Sequence, residues 1–233
     1  RFVLEDVLPA FLHDSPLFRH AASLIWGKHI KELATFRERA PFLSDEEYED
    51  LYKNHPRVHE GSDNSEACIE AICADIIGDS VCDIGCGTGY LLSRIREAHP
   101  ELARLTGVDF AIDDASALQG IEYVAAKIET LPFEDGEFDT VVCTHVIEHV
   151  LDYRKAISEL RRIARRRVII VVPREREYRY TFNPHFNFFP YTHSFLRAMQ
   201  PVPQAHACRD IQRDIYYCET LDAADAPRMV AAE

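Results

Sequence analysis

The stretch Val81-Cys82-Asp83-Ile84-Gly85-Cys86-Gly87-Thr88-Gly89-Tyr90 decides the fold of this 233-residue chain. Its first half is an apolar strand candidate and its end opens a helix. Gly85, Gly87 and Gly89 have no side chain, so the backbone can turn sharply and a ligand can approach it closely. The free N–H groups at the start of the helix point to the same place. The spacing matches neither GxxxxGK[ST] nor the GxGxxG of dinucleotide-binding proteins.

Apolar strand candidates and helical stretches alternate after this loop. The predicted strands are Ser80–Ile84, Leu105–Asp109, Ile121–Val124, Thr140–Cys143 and Arg167–Val172. The predicted helices are Tyr90–Ala98, Ala111–Leu118 and Tyr153–Ala164. This alternation predicts βαβ units and an α/β fold, with a parallel sheet covered by helices on both faces. Asp210–Glu219 is a late strand candidate, which we expect to be an antiparallel edge member.

The region before the sheet has a different character. Residues 1–60 lack β-branched alternation, so we predict a helical N-terminal extension that acts as a lid, with Tyr52, His55 and His59 near its end. Ser44-Asp45-Glu46-Glu47 is a capping box that opens a short helix. Asp63 and Glu66 mark the start of a second helix, which leads into a main domain spanning residues 61–233.

Composition limits the class of partner. The net charge is -13, and a uniformly acidic protein repels phosphate backbones, so nucleic acid is a disfavoured partner. The basic run Arg161–Arg167 is read as the solvated end of a helix. Seven scattered cysteines without CxxC spacing suit a reducing compartment, and no apolar run is long enough to cross a bilayer. We therefore expect a cytoplasmic protein without a membrane partner.

An acidic residue ends the second predicted strand, about twenty residues after the glycine loop. In Leu105-Thr106-Gly107-Val108-Asp109-Phe110, the carboxylate of Asp109 can accept both hydroxyl hydrogens of a ribose. The alternative is that Asp109 caps the next helix. Because the loop is already present, we favour the ribose role.

Three motifs resemble class I S-adenosylmethionine (SAM)-dependent methyltransferases, particularly the ubiquinone-biosynthesis-like (methyltransferase type 11) group. They are Asp83–Gly89, Leu131-Pro132-Phe133-Glu134-Asp135-Gly136-Glu137-Phe138-Asp139 and Val146-Ile147-Glu148-His149-Val150, within a resemblance that spans Asp63 to Val172. The resemblance implies SAM as cofactor and a Rossmann-like, mostly parallel seven-stranded sheet with an antiparallel edge strand. It implies cofactor-binding residues at Asp83, Gly85, Cys86, Gly87, Thr88, Gly89, Asp109, Phe110, Ile128, Glu129 and Thr144. One departure is Lys127-Ile128-Glu129, where the family often has an Asp for the adenine amino group.

The segment Thr144-His145-Val146-Ile147-Glu148-His149 contains the candidate catalytic residues His145, Glu148 and His149. It follows the fourth predicted strand, and ligands of parallel sheets bind at the carboxyl ends of strands. We expect His145 and His149, four residues apart, to share a helix face with Glu148 close by.

Three interpretations of this segment stay open. Glu148 and His149 position the loop while His145 lines the pocket; or one histidine is a general base; or His145, Glu148 and His149 bind a divalent metal ion. The third interpretation gains from similarity to metal-using ubiquinone O-methyltransferases and small-RNA 2′-O-methyltransferases, which carry Glu-x-x-Glu-His here. A further ligand would then be His185 or His193.

The segment after the fifth strand is predicted to form an acceptor-site insertion, residues 173–205. Its aromatic residues either bind a planar acceptor or pack against the N-terminal helices; these are Phe182, Phe186, Phe188 and Phe189. For Arg174, Arg176 and Arg179 we expect surface salt bridges.

The expected function is methyl transfer from SAM to an oxygen or nitrogen of a small-molecule acceptor. One alternative is a SAM-fold protein without catalysis that serves as a binding or regulatory partner. A remote alternative is a zinc peptidase, because HxxEH is also a peptidase signature when it lies in the middle of a helix.

Overall fold

The structure, a computed structural model, describes residues 9–18, 20, 36–44, 46–48, 62–112, 118–178 and 184–221. The predictions for Tyr52, His55, His59, Arg179 and Phe182, and for most of the helix over Ala111–Leu118, lie outside these residues. The predicted domain boundaries also stay a prediction.

The described elements alternate between strand and helix. The strands are β1 (Ser80–Ile84), β2 (Arg104–Asp109), β3 (Glu122–Ala125), β4 (Phe138–Thr144), β5 (Ala164–Pro173), β6 (His206–Ile211) and β7 (Asp214–Thr220). The helices are α1 (Ala10–His13), α2 (Glu66–Asp75), α3 (Tyr90–Ala98), α4 (Tyr153–Ile163) and α5 (Thr192–Ala198). Short 3₁₀ turns lie at Ala40–Phe42 and Ile147–His149.

All seven strands form one sheet in the order β3-β2-β1-β4-β5-β7-β6. The pairs from β3 to β5 are parallel, while β7 is antiparallel to both β5 and β6. This confirms the predicted Rossmann-like, mostly parallel sheet with an antiparallel strand near one edge. The single late strand over Asp210–Glu219 was wrong: Gln212 and Arg213 form a tight turn between β6 and β7, with Gln212 at φ 54°.

Helices cover both faces, as the continuous apolar runs of the central strands require. On one face, α2 and α3 bury Ile69, Ile72, Leu92 and Ile95 against the sheet. On the other face, α4 and α5 bury residues such as Leu160 and Phe195. Among the described residues, no helix combines the length and the apolarity needed to cross a membrane.

Of the two helix starts predicted from capping residues, the first has the predicted capping contacts and the second has a different cap. Ser44 and Glu47 form the reciprocal bonds of a capping box, with Ser44 N–H donating to Glu47 Oε2 at 2.8 Å. Helix α2 begins differently from the prediction, because Ser65 rather than Asp63 caps it by accepting from Cys68 N–H.

Three arginines of the basic run, Arg161, Arg162 and Arg165, are ion-paired rather than merely solvated. Arg161 donates to both carboxylate oxygens of the buried Glu219, and Arg162 donates to both oxygens of Glu159. Arg165 donates to Asp139. All seven cysteines are free thiols.

Candidate functional site

The glycine loop joins β1 to α3 in the conformation that its glycines allow. Gly85, Gly87 and Gly89 have φ of 78°, 54° and 80°, a region that side-chain-bearing residues seldom adopt. The N–H groups of Gly85 and Cys86 both donate to Val108 O, at 2.7 and 3.0 Å. The loop is therefore held against the carboxyl end of β2.

Asp109, the last residue of β2, binds this loop from the other side. Its Oδ2 accepts from Gly87 N–H at 2.9 Å, and its Oδ1 accepts from Ala111 N–H at 3.1 Å. The carboxylate thus holds the glycine loop and the turn after β2 together. The ribose contact of Asp109 stays a prediction, and each carboxylate oxygen retains a second lone pair for a hydroxyl donor.

Asp83, near the end of β1, is a buried carboxyl group. The residue is 1% exposed, and among the described residues Oδ1 has no hydrogen-bond donor. Burial, helped by the charge of Asp109, raises the pKa of Asp83 to about 7. The folded protein therefore holds this group partly protonated near neutral pH.

The predicted adenine-edge residues follow β3. Ile128 is buried, and Glu129 is half-buried. Lys127 O accepts from Thr130 N–H at 3.0 Å, so these residues form a turn. The Glu129 carboxylate lies near the Tyr48 phenol; burial first and this charge second raise the pKa of Tyr48.

The segment after β4 differs from the predicted helix. Strand β4 continues to Thr144, and His145 then adopts φ 54°, with its N–H donating to Val171 O at 2.9 Å. Only Ile147–His149 form a 3₁₀ turn, because this tie to β5 prevents His145 from starting a helix. His145 and His149 therefore share no helix face. A mid-helix HxxEH site, which the zinc-peptidase alternative requires, is not formed.

Glu148 lies at the centre of the cluster that the segment nevertheless forms. It is 1% exposed, and its Oε1 is 3.6 Å from His145 Nδ1 and 3.9 Å from His149 Nε2. Burial alone would raise the pKa of Glu148, but the neighbouring histidines lower it to about 2. Among the described residues, Oε2 has no hydrogen-bond donor. A buried carboxylate is thus present with one oxygen available to a ligand.

His185 comes from the segment after β5 and joins this cluster. The His149 and His185 rings meet edge to face with centroids 4.6 Å apart. Ligand atoms of Glu148, His149 and His185 all lie within 4.8 Å of one another. His145 is outside this group, and His193 is exposed and stacks on Tyr191. Of the two downstream histidines considered, the structure brings only His185 to the cluster.

The two histidines of this group are held by acceptors on their outer nitrogens. His149 Nδ1 is 3.0 Å from Pro184 O, and His185 Nδ1 is 2.5 Å from Glu175 Oε2. A carbonyl acceptor places the hydrogen of His149 on Nδ1 and leaves the lone pair on Nε2. Burial first, and the nearby His185 second, lower the pKa of His149 to about 4, so its ring is neutral at pH 7.

The N-terminal residues cover this cluster. Phe36 is 1% exposed and packs on Phe186 with ring centroids 4.8 Å apart, and Tyr48 OH donates to His149 O at 2.7 Å. Arg37 lies 4.8 Å from the centre of the Phe188 ring. For Phe186, packing against N-terminal residues is thus present, whereas Phe189 packs on Phe195 of α5.

Sequence reasoning missed several residues of the site. Asp214, at the start of β7, has Oδ1 3.9 Å from His145 Nε2, while its Oδ2 is 3.6 Å from the Cys68 thiol. Glu175 stands in a charged run of which only the arginines were considered, and Asn64 bonds to Thr144. Arg174 makes the predicted surface contact, 3.5 Å from Asp210. No periodicity marks these residues, because each acts through a partner distant in sequence.

Comparison with known proteins identifies the central segment. A family model described as a methyltransferase domain (type 11) matches residues 82–172. A tRNA U34 carboxymethyltransferase from Campylobacter curvus is 35% identical over 92 residues, which are 36% of this chain and 30% of that protein. A 2-phytyl-1,4-naphtoquinone methyltransferase from Trichormus variabilis is 29% identical over 96 residues, 37% of this chain and 42% of that protein. The matched segment thus spans less than half the length of these curated relatives.

A solved structure supports the same fold. A SAM-dependent methyltransferase from Aquifex aeolicus superposes with a TM-score of 0.51 at 13% identity, covering 66% of this chain and 89% of that chain. At such identity the likeness concerns the fold alone. Together, the family match over residues 82–172, the strand order and the glycine loop show a methyltransferase domain with the Rossmann-like fold of the class I SAM-dependent methyltransferases.

Proposed function

We propose that this protein transfers a methyl group from SAM to an oxygen or nitrogen of a small-molecule acceptor. One observation carries the proposal. Five buried side-chain polar atoms lack a hydrogen-bond partner among the described residues, and four of them belong to the carboxyl-edge region of β1 and β4. These four are Asn64 Oδ1, Asp83 Oδ1, His145 Nε2 and Glu148 Oε2. Buried polar atoms are normally paired, so their concentration indicates where a polar ligand binds.

The residues present fit SAM. Gly85 could not carry a side chain, because a Cβ there would lie 2.1 Å from Val146 Cγ2, and the φ of all three loop glycines is positive. The loop therefore requires glycine to keep this conformation and its close contact with the segment after β4. When bound, SAM supplies an electrophilic methyl group on a sulfonium. The protein's part is to bind the nucleoside through Asp109, align the acceptor beside the methyl group and exclude water.

A small acceptor fits the charge of the site better than a polyanion. Carboxylates from different elements converge at the end of β4, where Glu148 and Asp214 flank His145. Burial alone would lower the pKa of His145, but the negative charges of Glu148, Asp214 and Asp63 outweigh burial and raise this pKa. A phosphate backbone approaching this edge would meet these charges. Some relatives act on tRNA, so tRNA belongs in any acceptor screen.

The binding of SAM is the first test. Isothermal titration calorimetry of the purified protein with SAM and with its demethylated product, S-adenosylhomocysteine, is expected to give saturable binding. Asp109→Ala is expected to weaken both about 10- to 100-fold, because it removes hydrogen bonds to the ribose and the tie to Gly87. No binding of either ligand at millimolar concentration would contradict the proposed function. Methylation of tRNA, but of no small molecule, would contradict its acceptor class.

We further propose that Glu148, His149 and His185 bind a divalent metal ion. Two imidazoles and a carboxylate suit zinc, iron or manganese. The outer nitrogens are held by Pro184 O and Glu175, the arrangement that orients metal-binding histidines in proteins. An ion bound there would act as a Lewis acid toward an oxygen of the acceptor.

Metal content tests this second proposal. Elemental analysis after purification, and titration of the chelator-treated protein with Zn²⁺ and Mn²⁺, are expected to show one bound ion. Glu148→Gln and His185→Asn are expected to abolish binding, and Glu175→Gln to weaken it about 10- to 100-fold. His193→Asn is the matched control, because His193 is exposed and outside the cluster, and it should keep the ion. Equal metal loss in His193→Asn and His185→Asn would refute the site.

A further inference from the structure

A cleft of about 330 Å³ lies between the start of α4, helix α5 and the segment after β5. This volume is at the lower end of the range for small-molecule sites, about 300–1,000 Å³. Phe186, Phe188 and Phe189 line the cleft, and so do two arginines, Arg154 of α4 and Arg197 of α5. The cleft thus combines aromatic rings with two cations, in a chain whose net charge is -13.

Neither of these arginines has an ion-pair partner among the described residues. The guanidinium carbon of Arg154 is 5.9 Å from the centre of the Tyr153 ring, and Arg197 is exposed. The described carboxylate that lines the cleft belongs to Glu177, whose Oε1 is already 3.1 Å from Arg37 Nη1. Guanidinium groups bind carboxylates and phosphates through paired hydrogen bonds, so two of them in one cleft favour an anionic ligand.

The position of Arg154 in α4 points to the same ligand chemistry. The first turn of this 11-residue helix contains Arg154 and Lys155 but no acidic residue, although the helix dipole makes cations unfavourable there. Asp152, exposed at the N-cap, attracts Arg154, but its Oδ1 is used by Lys155 N–H at 3.1 Å. An anion bound beside Arg154 gains from the guanidinium and from the start of the helix together.

The lining of the cleft is bonded to the turn that carries the candidate metal ligands. Phe186 and Asn187 line the cleft, and their N–H groups both donate to Glu148 O, at 2.7 and 3.1 Å. The side-chain amide of Asn187 donates to Ile147 O and Val150 O, at 2.8 and 2.7 Å. A molecule bound in the cleft therefore lies beside the site proposed for methyl transfer.

We propose that this cleft binds the anionic group of the methyl acceptor, and that Arg154 and Arg197 select that group. The acceptor is then a small molecule that carries one carboxylate or phosphate on an apolar, ring-sized body, which the phenylalanines contact. This assignment rests on the proposed function. The arginines attract the anionic end, whereas Glu148 and Asp214 repel it, so the end with the accepting oxygen or nitrogen is directed toward the cluster.

Three probes that share a phenyl ring test the cleft: phenyl phosphate, benzoate and the neutral benzamide. In calorimetric titrations of the wild type, at least one anion is expected to bind about 10-fold or more tightly than benzamide, and the tighter anion identifies the group. The double variant Arg154→Gln/Arg197→Gln is expected to weaken that anion about 10- to 100-fold. Arg209→Gln is the matched control, because Arg209 is exposed, lies 5.1 Å from the Tyr216 ring centre and is outside the cleft. Equal binding of anions and benzamide, or an equal loss in the control, would overturn the inference.

A methylation screen separates this inference from the proposed function. It consists of acid–amide pairs, salicylate with salicylamide among them, and measures the release of S-adenosylhomocysteine. For an accepted pair, the acid is expected to have a KM about 10-fold or more below that of the amide, and the double variant is expected to abolish the difference. Amides methylated as efficiently as their acids would overturn the inference and leave the proposed function standing. A screen in which nothing is methylated counts against the proposed function, and the binding titrations then decide the anion site alone.

Discussion

Gly85→Ala is expected to lower the free energy of unfolding by about 2–5 kcal/mol and to abolish cofactor binding. Two effects add. The left-handed backbone at φ 78° is unfavourable for alanine by about 1–2 kcal/mol. The new Cβ would also lie 2.1 Å from Val146 Cγ2, and overpacking of this kind typically adds about 1–3 kcal/mol. Urea denaturation followed by circular dichroism measures the change.

The chain offers a matched control for the steric part. Gly120 has φ 79°, and a Cβ built there meets nothing within 4 Å, so Gly120→Ala should show only the backbone effect. A double-mutant cycle with Val146→Ala should recover part of the loss at Gly85, because the clashing methyl group is removed. Equal destabilisation by Gly85→Ala and Gly120→Ala would show that the contact with Val146 is not the reason for glycine.

The sheet and the glycine loop were predictable because their determinants are local. The apolar runs that form β1, β2, β4 and β5 must be covered by helices on both faces of a sheet, whatever the order of the strands. The loop glycines lie directly between a strand and a helix in the sequence. The hairpin between β6 and β7 was missed because this local signal is lacking there. Gln212 and Arg213 form a tight turn without the Gly or Asn that usually marks one.

The candidate site was predictable only in part. The residues Glu148 and His149 follow a strand in sequence, so their position at the sheet edge follows from the fold. The conformation of His145 does not, because it depends on a hydrogen bond to Val171 in another strand. The contact of His185 with Glu175, and that of Asn64 with Thr144, likewise depend on how distant segments meet.

The HxxEH motif from His145 to His149 predicted the chemistry of the site better than its geometry. HxxEH predicted a helix face with two histidines, yet β4 extends through Thr144 and the cluster forms from a 3₁₀ turn and a later segment. The residue types were informative about chemistry, whereas their spacing was misleading about geometry. The group of candidate metal ligands is Glu148, His149 and His185, the last 36 positions beyond His149, whereas His145 lies between Glu148 and Asp214.

Asp83→Asn is expected to stabilise the protein without ligand at pH 8 while weakening its affinity for S-adenosylhomocysteine. The pKa of Asp83 is raised from 3.8 to about 7 in the folded state, chiefly by burial. The folded protein therefore holds more protons than the unfolded chain between these values, and its stability falls as pH rises through that window. Above pH 7 the full penalty applies, and asparagine, which does not ionise, removes it.

The size of the effect follows from the shift. About three pKa units correspond to at most about 4 kcal/mol, so a gain of roughly 2–4 kcal/mol is expected at pH 8 and little gain at pH 4. Urea titrations of wild type and variant at both pH values measure it. Asp79→Asn, the same change at an exposed position just before β1, should alter stability little at either pH.

Ligand binding should respond in the opposite sense, and this separates function from stability. Asp83 is predicted to bind the cofactor, and an ionised carboxylate attracts the ammonium group of S-adenosylhomocysteine, so the affinity of the wild type for this ligand should rise between pH 6 and pH 8, whereas that of Asp83→Asn should be lower and flatter. Loss of the charge-assisted hydrogen bond predicts a weakening of about 10- to 100-fold at pH 8. If Asp83→Asn is less stable than the wild type at pH 8 and binds S-adenosylhomocysteine with the same affinity, Asp83 is a structural carboxylate. The buried carboxyl group lowers the stability of the ligand-free protein, whereas its negative charge favours binding of the ligand. Asp83→Asn is therefore expected to raise the stability and to lower the affinity.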